Sequence, residues 1–392
     1  MTAAGPNAET TLPRLVLELL KLGAMGFGGG MAVIALMERD LVQERKLLGT
    51  EEFLHGVGLG QLLGPFAVNT SFFVGHRLFG PTGGVLCAAA FLAPSVLLVI
   101  GLSWLYSAFH SIPALQSAIA GVGPVVIALI LSAAWSMGKK ALRSGPAVAL
   151  AAAAFGASFL RISPVYVLTA AGVLGLVLGT GRWGGRGTPE KAIAGGSPGP
   201  KAGAPSAAAV VPMAVPAVVS TPLGAVALTF LKLGLVFFGG GFVLIPLLHQ
   251  RLVVDLHWLT SQQFLDGVAI SNLTPGPIAV LATFVGYHVQ GVVGALVATG
   301  ALFLPATVLM MILCKGYGRF KEARRAKDFL SGVTPAVAGL VAGAAFALGP
   351  GALRGPAAWC LLAVSLLLLI RKNWHPAFVL GVGALLGAGG WV

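Results

Sequence analysis

The chain has 392 residues, 57% of them apolar and only 9% charged, against roughly 25% charged in a soluble domain, so a soluble globular protein is excluded. Its formal net charge of +13 invites a nucleic-acid reading. However, the Lys and Arg residues punctuate apolar runs instead of clustering on one surface, which fits the positive-inside bias of an integral membrane protein.

In chain order, a short polar stretch precedes the first apolar segment, about 12 to 36, with no small-residue cleavage signature, so this segment is expected to stay as a first span. It is interrupted by "GFGGG", with Gly28, Gly29 and Gly30, although each glycine weakens a helix by about 1 kcal/mol relative to alanine. Lys21 stands two turns before the triplet and Glu18 three residues before Lys21. A lysine inside a span is a functional candidate; the plainer reading is a local ion pair with Glu18.

The second segment, "HGVGLGQLLGPFAVNTSFFVGH", carries Gly64 and Pro65 at its centre. Proline removes a donor and clashes with the preceding turn, so a broken, re-entrant segment is expected. Such a segment is tolerated at membrane depth only when buried in protein or lining a wet cavity. Asn69, Thr70 and Ser71 offer neutral donors beside the break, and Arg77 follows it. Four further apolar segments run at about 81 to 109, 112 to 137, 146 to 161 and 164 to 180. Leu78 to Gly138 contains no Asp, Glu, Lys or Arg, which is room for at least two spans of about 20 residues. Residues 181 to 222 are rich in Gly, Pro, Ala and Ser, as in a flexible linker. Arg182, Arg186, Lys191 and Lys201 argue for its cytoplasmic placement.

The rest of the chain repeats the first part at an offset of 211 residues. Lys21 falls on Lys232, the first triplet on Gly239, Gly240 and Gly241, Phe53 on Phe264, Phe73 on Phe284 and Pro94 on Pro305, in a register without gaps. The chain therefore reads as an internal duplication: a first repeat over 1–181, a linker over 182–221 and a second repeat over 222–392. The second broken segment carries Pro275, Gly276 and Pro277, with Ser271, Asn272 and Thr274 before them and His288 after. Thr229 stands where the first repeat has Glu18, so Lys232 lacks that local partner and is the favoured cation for an anion site. Arg77 and His288 read equally well as interfacial anchors.

Charge orients the repeats. If both broken segments dip and return, 19 Lys and Arg residues fall on one face and four on the other, a ten-span arrangement. A plain twelve-span arrangement fails this test, while a thirteen-span one with an extra helix near 206 to 220 passes it. Both survivors invert the second repeat relative to the first. The expected fold is thus an all-α integral membrane protein of two inverted-topology repeats, with about 10 spans and a Pro/Gly-broken re-entrant segment in each repeat, 12–13 spans being the alternative. In such repeats, discontinuous helices meet near the midplane with positive ends toward anionic substrates. The glycines would let backbone N–H groups approach a ligand, or serve only close helix packing.

Acidic residues other than Glu18 and Asp266 are expected in loops or tails, so a carboxylate cage for a cation is not indicated, and donors without carboxylates suit an oxyanion. Asp266 matches His55 at the mouth of the broken segment. Glu18 and Asp266 are the candidates for proton coupling, a plain helix-end role being the alternative for Asp266. Cys87, Cys314 and Cys360 lack CxxC spacing and read as buried fillers. His55, His76, His249 and His288 lack metal-ligand spacing, so no metal, cofactor or catalytic constellation is expected, and an enzyme is disfavoured.

The ordered set of motifs, "FGGG" twice, then "EEFLHGVGLGQLLGPF" and "QQFLDGVAISNLTPGPI", then "VGHRLFGPTGG" and "VGYHVQGVVG", resembles the chromate ion transporter family in its two-domain form over essentially the whole chain. The resemblance implies chromate efflux across the bacterial cytoplasmic membrane, driven by the proton-motive force and conferring chromate resistance. Sulfate, also a tetrahedral dianion, is the natural competitor. An oxyanion permease or a passive anion channel is the alternative. Lipid is the expected surrounding, and a homodimer is one option for an assembly the sequence leaves open. Two departures from the family pattern stand out. Gly30 and Gly241 occupy a place where Pro is usual, and the Pro-Gly-Pro is complete only in the second repeat.

Overall fold

The computed structural model describes residues 11–26, 30–109, 113–160, 162–178, 222–237, 241–315, 324–372 and 374–391. These form helices, with no strand among the described residues. The first repeat comprises α1 (Leu12–Met25), α2 (Gly30–Met37) running on into a π-helical stretch (Glu38–Glu44), α3 (Thr50–Leu62), α4 (Phe66–Phe109), α5 (Pro113–Ala141), α6 (Gly145–Phe159) and α7 (Pro164–Leu178). The second comprises α8 (Leu223–Leu235), a 3-10 turn (Gly241–Val243), α9 (Leu244–Leu248), a π-helical stretch (His249–Asp255), α10 (Ser261–Leu273), a 3-10 turn (Ile278–Val280), α11 (Leu281–Lys315), α12 (Arg324–Ala352), α13 (Pro356–Arg371) and α14 (Pro376–Ala388). Prolines open α1, α6, α13 and α14, where the missing N–H would have had no intrahelical partner.

Neither α4 nor α11 is a straight rod. Phe79 and Gly80 leave helical geometry, Gly80 at φ 70°, and Gly75 then packs against Gly83 and Cys87. Residues eight apart in a straight helix lie about 12 Å apart, so α4 folds back on itself as a short arm and a long arm. In α11 the same reversal occurs at Gln290 and Gly291, packing Gly286 on Gly294 and placing the hydroxyls of Thr283 and Thr299 2.8 Å apart. The short arm of α4 also lies antiparallel to α3: Gly56 sits under Phe73, the Asn69 amide donates to the Gly60 carbonyl at 3.4 Å, and Arg77 pairs with Glu52. At 13 residues, α3 is about 20 Å long, too short for a hydrocarbon core of about 30 Å. Gly64 and Pro65 thus form the tip of a half-length hairpin, and α10 with the short arm of α11 makes its counterpart.

The first apolar segment departs from expectation. The Arg45 guanidinium lies 2.9 Å from Glu18, whereas a single helix through residues 12 to 45 would hold them about 40 Å apart. The segments on either side of the glycine break therefore run in opposite directions and lie on the same side of the molecule, in place of one span. Two acidic and thiol assignments also change. Asp328, expected in a loop, is buried on α12 near its start, and Cys360, expected buried, is exposed on α13.

The second arms of α4 and α11, together with α5 and α12, are long and apolar enough to cross a membrane. Outward-facing Leu97, Leu98, Val308, Ile312 and Leu385 are exposed, so the exterior is as apolar as the interior, as lipid requires. Matched helices α5 and α12 are antiparallel: α6 turns back from the end of α5 and runs parallel to α12, with Ala151 on Gly339 and Ser158 on Gly343, and Gly123 of α5 meets Ala352 at the end of α12. The repeats also exchange neighbours. Gly121 of α5 packs on Gly383 and Gly387 of α14, while Gly339 and Gly332 of α12 pack on Ala151 of α6 and Ala171 of α7. A two-fold relation that sets equivalent membrane helices antiparallel has its axis in the membrane plane, the signature of inverted repeats.

Candidate functional site

The four chain breaks converge. Gly64 has φ 96° and Gly276 φ 99°, a left-handed conformation open to glycine but strained for other residues. The Gly276 N–H donates to the Gly26 carbonyl at 3.0 Å, at the end of α1. Gly64 in turn lies so close to Phe237, just past the end of α8, that a Cβ would collide with the Phe237 carbonyl. Residues 26 and 237 are equivalent under the 211-residue offset. Each hairpin tip therefore docks on the end of the other repeat's first helix, just before its glycine triplet. Gly30 opens α2 and Gly241 opens a 3-10 turn that packs on Ile278. Gly28, Gly29, Gly239 and Gly240 lie outside the described residues.

The register of the tips differs from the sequence alignment by one residue. The left-handed glycines are 212 apart, not 211, because Thr-Pro-Gly-Pro carries one residue more before its glycine than Leu-Gly-Pro does. The 3-10 turn Ile278–Val280 absorbs the difference where the first repeat enters α4 directly.

Helix starts and ends alternate around this crossing. The α4 short arm begins at Phe66, just after Pro65, and α2 begins at Gly30, so two N-terminal turns are directed from the breaks with the partial positive charge of the helix dipole. Polar side chains line the hairpins, and all are buried or half-buried: Asn69, Thr70, Ser71, Ser271, Asn272 and Thr274. Each currently donates within its own hairpin, as Thr70 does to the Phe66 carbonyl at 2.7 Å and Asn272 to the Val268 carbonyl at 2.8 Å. Hydroxyls and amides can redirect those donors. Ser95, not among the residues expected from the sequence, is fully buried on the long arm of α4 and donates to the Pro275 carbonyl of the other repeat. Its signal was weak, since a single serine in an apolar run resembles any small helix-packing residue.

The basic residues lie elsewhere. Lys21 is 57% exposed and 3.4 Å from Glu18, and Lys232 is exposed on α8 away from the buried face of Val226, Phe230 and Leu233. Arg77 pairs with Glu52 at the mouth of the first hairpin. Glu18 is held by Arg45, which also binds Asp40 at 3.2 Å. His288, half-buried, stacks on Phe284 near the mouth of the second hairpin. Asp266 is buried in α10, between Tyr106 and Gln262. No group of three or more potential metal ligands occurs among the described residues. The geometry thus gathers Gly30, Gly64, Pro65, Gly241, Pro275, Gly276 and Pro277 at one crossing, with Asn69 and Asn272 on the adjoining hairpin arms. Lys21, Lys232, Arg77 and His288 stand apart from it.

The family described as chromate transporter matches residues 13–176 and 224–388, one match in each repeat. The chain is 33% identical over 395 residues to the chromate transport protein of Cupriavidus metallidurans, covering 98% of this chain and 96% of that one. It is 34% identical over 355 residues to the probable chromate transport protein of Synechococcus elongatus, covering 86% and 85%, and 34% identical over 340 residues to the chromate transport protein of Pseudomonas aeruginosa, covering 84% and 79%. No solved structure matches.

Proposed function

The chain belongs to the chromate transporter family, and from that premise we propose that it exports chromate across the cytoplasmic membrane by proton-coupled alternating access, giving chromate resistance. The observation that carries this reading is the reciprocal docking of the two hairpin tips, Gly276 on Gly26 and Gly64 beside Phe237. A dianion inside a bilayer needs donors to replace its hydration shell. Here the donors are backbone N–H groups at the α2 and α4 starts, with Asn69, Thr70 and Asn272 close by, and their dipoles supply positive potential without a buried cation. Arg77 at the mouth of the first hairpin attracts the anion from water over a Debye length of about 8 Å.

Because each tip rests on the other repeat, a shift of the hairpins against the ends of α1 and α8 alters both contacts together. The anion is then exposed to one side at a time, as in other inverted-repeat transporters. The charge asymmetry of the sequence supports a cytoplasmic position for the face with Arg143 and Arg371.

The test is chromate accumulation in everted membrane vesicles with an acidified lumen. Uptake that collapses with an uncoupler, and is competed by excess sulfate, supports the reading. Uptake that persists without a proton gradient makes the protein a passive channel, and sulfate movement without chromate movement makes it a sulfate permease.

A further inference from the structure

Asp266 is the more deeply buried of the two buried carboxylates among the described residues, Asp328 being the other, and it joins the two repeats. It is 5% exposed in α10, the entry arm of the second hairpin. One oxygen accepts from the Tyr106 hydroxyl at 2.8 Å, and the other accepts from the Gln262 amide at 2.9 Å. Tyr106 belongs to the far end of the α4 long arm, in the first repeat, and its ring also meets Phe284 edge-on at 5.7 Å. The hydrogen bond therefore ties the long arm of α4 in the first repeat to the hairpin of the second.

The surroundings of Asp266 isolate it from other charges. Within α10 itself Gln262 is neutral. From the π-helical stretch, His249 faces the same helix through ring contact with Phe264, while Arg251 and Asp255 pair with each other on the surface. The α11 short arm contributes Tyr287 and His288. Helix α12 meets the start of α10 near Gly351, with exposed Arg354 just beyond and its acidic residue Asp328 at the opposite end. Helix α5 carries its lysines, Lys139 and Lys140, at the end remote from the Gly123–Ala352 contact. Helix α14 has no titratable residue, and His375 caps its start. No cation among the described residues lies within ion-pair distance of Asp266.

A carboxylate only accepts hydrogen bonds, whereas a carboxylic acid also donates one. With both oxygens already receiving donors, a proton arriving on the Tyr106-facing oxygen sets hydroxyl against hydroxyl. The Tyr106 bond must then reverse, with Asp266 donating to the phenolic oxygen, or open. We propose that Asp266, latched across the repeats to Tyr106, is the coupling site that takes up and releases the driving proton, an inference that rests on the proton-coupled reading above. The proton moves between water and one carboxylate oxygen, with no change of redox state. The 211-residue offset sets His55 opposite Asp266, so the two repeats carry different titratable groups at matching places. This assigns coupling to the second repeat.

The test compares two assays in proteoliposomes containing the full chain: chromate accumulation driven by a pH gradient, and chromate-for-chromate exchange without one. Asp266→Asn is expected to lose gradient-driven accumulation roughly tenfold or more while keeping exchange within about twofold and making it independent of pH. Asp266→Glu is expected to restore coupling. Tyr106→Phe, which keeps the ring, is expected to shift the pH midpoint of exchange by about half a unit or more through loss of one hydrogen bond. Gradient-driven accumulation by Asp266→Asn, or an unshifted pH profile for Tyr106→Phe, overturns the assignment. So does loss of exchange along with accumulation in Asp266→Asn recovered at wild-type yield, which would make the carboxylate structural. If the Asn variant does not fold, the Tyr106→Phe profile decides. A wild-type protein that exchanges chromate but never follows the gradient overturns the coupled reading itself, an outcome distinct from all of these.

Discussion

The two hairpin tips reach one geometry by different means. The first, Leu63-Gly64-Pro65, closes against a backbone carbonyl, that of Phe237. The second, Pro275-Gly276-Pro277, adds a side chain to its backbone bond with Gly26, the Ser95 hydroxyl being bonded to Pro275 and packed on Gly276. The supports differ as well. The first repeat ties its glycine break with charges, Glu18 to Arg45 to Asp40, whereas the matching positions of the second are Thr229, Leu256 and Arg251. The second relies on neutral bonds, the Thr283–Thr299 pair and the Thr260–Gln263 capping box of α10, where α3 has only Gly49 before it. After duplication the backbone path has been kept while the residues holding it have changed, as follows if function depends on the crossing of the chain and not on any one side chain.

The largest effect is expected from Gly64→Ala. A left-handed conformation costs a non-glycine residue about 1–2 kcal/mol, and collision with a carbonyl that cannot rotate away adds an overpacking cost of about 1–3 kcal/mol. Thermal unfolding in detergent should show both, and chromate transport should be lost. Gly276→Ala carries the same strain but meets a movable hydroxyl, so its cost should be smaller, and adding Ser95→Ala should recover roughly 1 kcal/mol by making room. Equal severity of the two alanines, with no relief from Ser95→Ala, would erase the distinction between the tips.

Next in size, Thr260→Ala should cost about 1 kcal/mol by removing the helix cap, while Gly49→Ala in the first repeat, which breaks no cap bond, should leave the melting temperature nearly unchanged. The smallest effects are expected from Lys21→Ala and Lys232→Ala. Both side chains are exposed, and an exposed pair such as Lys21 with Glu18 contributes about 0.2–1 kcal/mol. Transport within about twofold of wild type should follow for both, since neither touches the crossing. A tenfold or greater loss for Lys232→Ala would restore the lysine as an anion ligand and make the second repeat the electrostatic half of the site.

Periodicity, glycine and proline placement and the repeated register of 211 were enough to identify a membrane protein built from an inverted duplication, with a broken segment in each copy. These features are local: proline cannot sit inside a straight helix, and 9% charge cannot clothe a soluble surface. Gly64, Gly276 and Asp266 were also legible as candidates in the sequence. That the first apolar segment doubles back was not, because a glycine triplet is equally compatible with a kink, a close packing site or a reversal. Only the Glu18–Arg45 contact separates these. Nor could the sequence place Lys21 and Lys232, since the face a helix turns outward depends on what packs against it. The meeting of Gly276 with Gly26, of Ser95 with Pro275 and of Tyr106 with Asp266 joins residues 160 to 250 positions apart. Such pairs leave no local periodicity to read, because their proximity is set by how two inverted halves pack and not by either segment's own conformational preference.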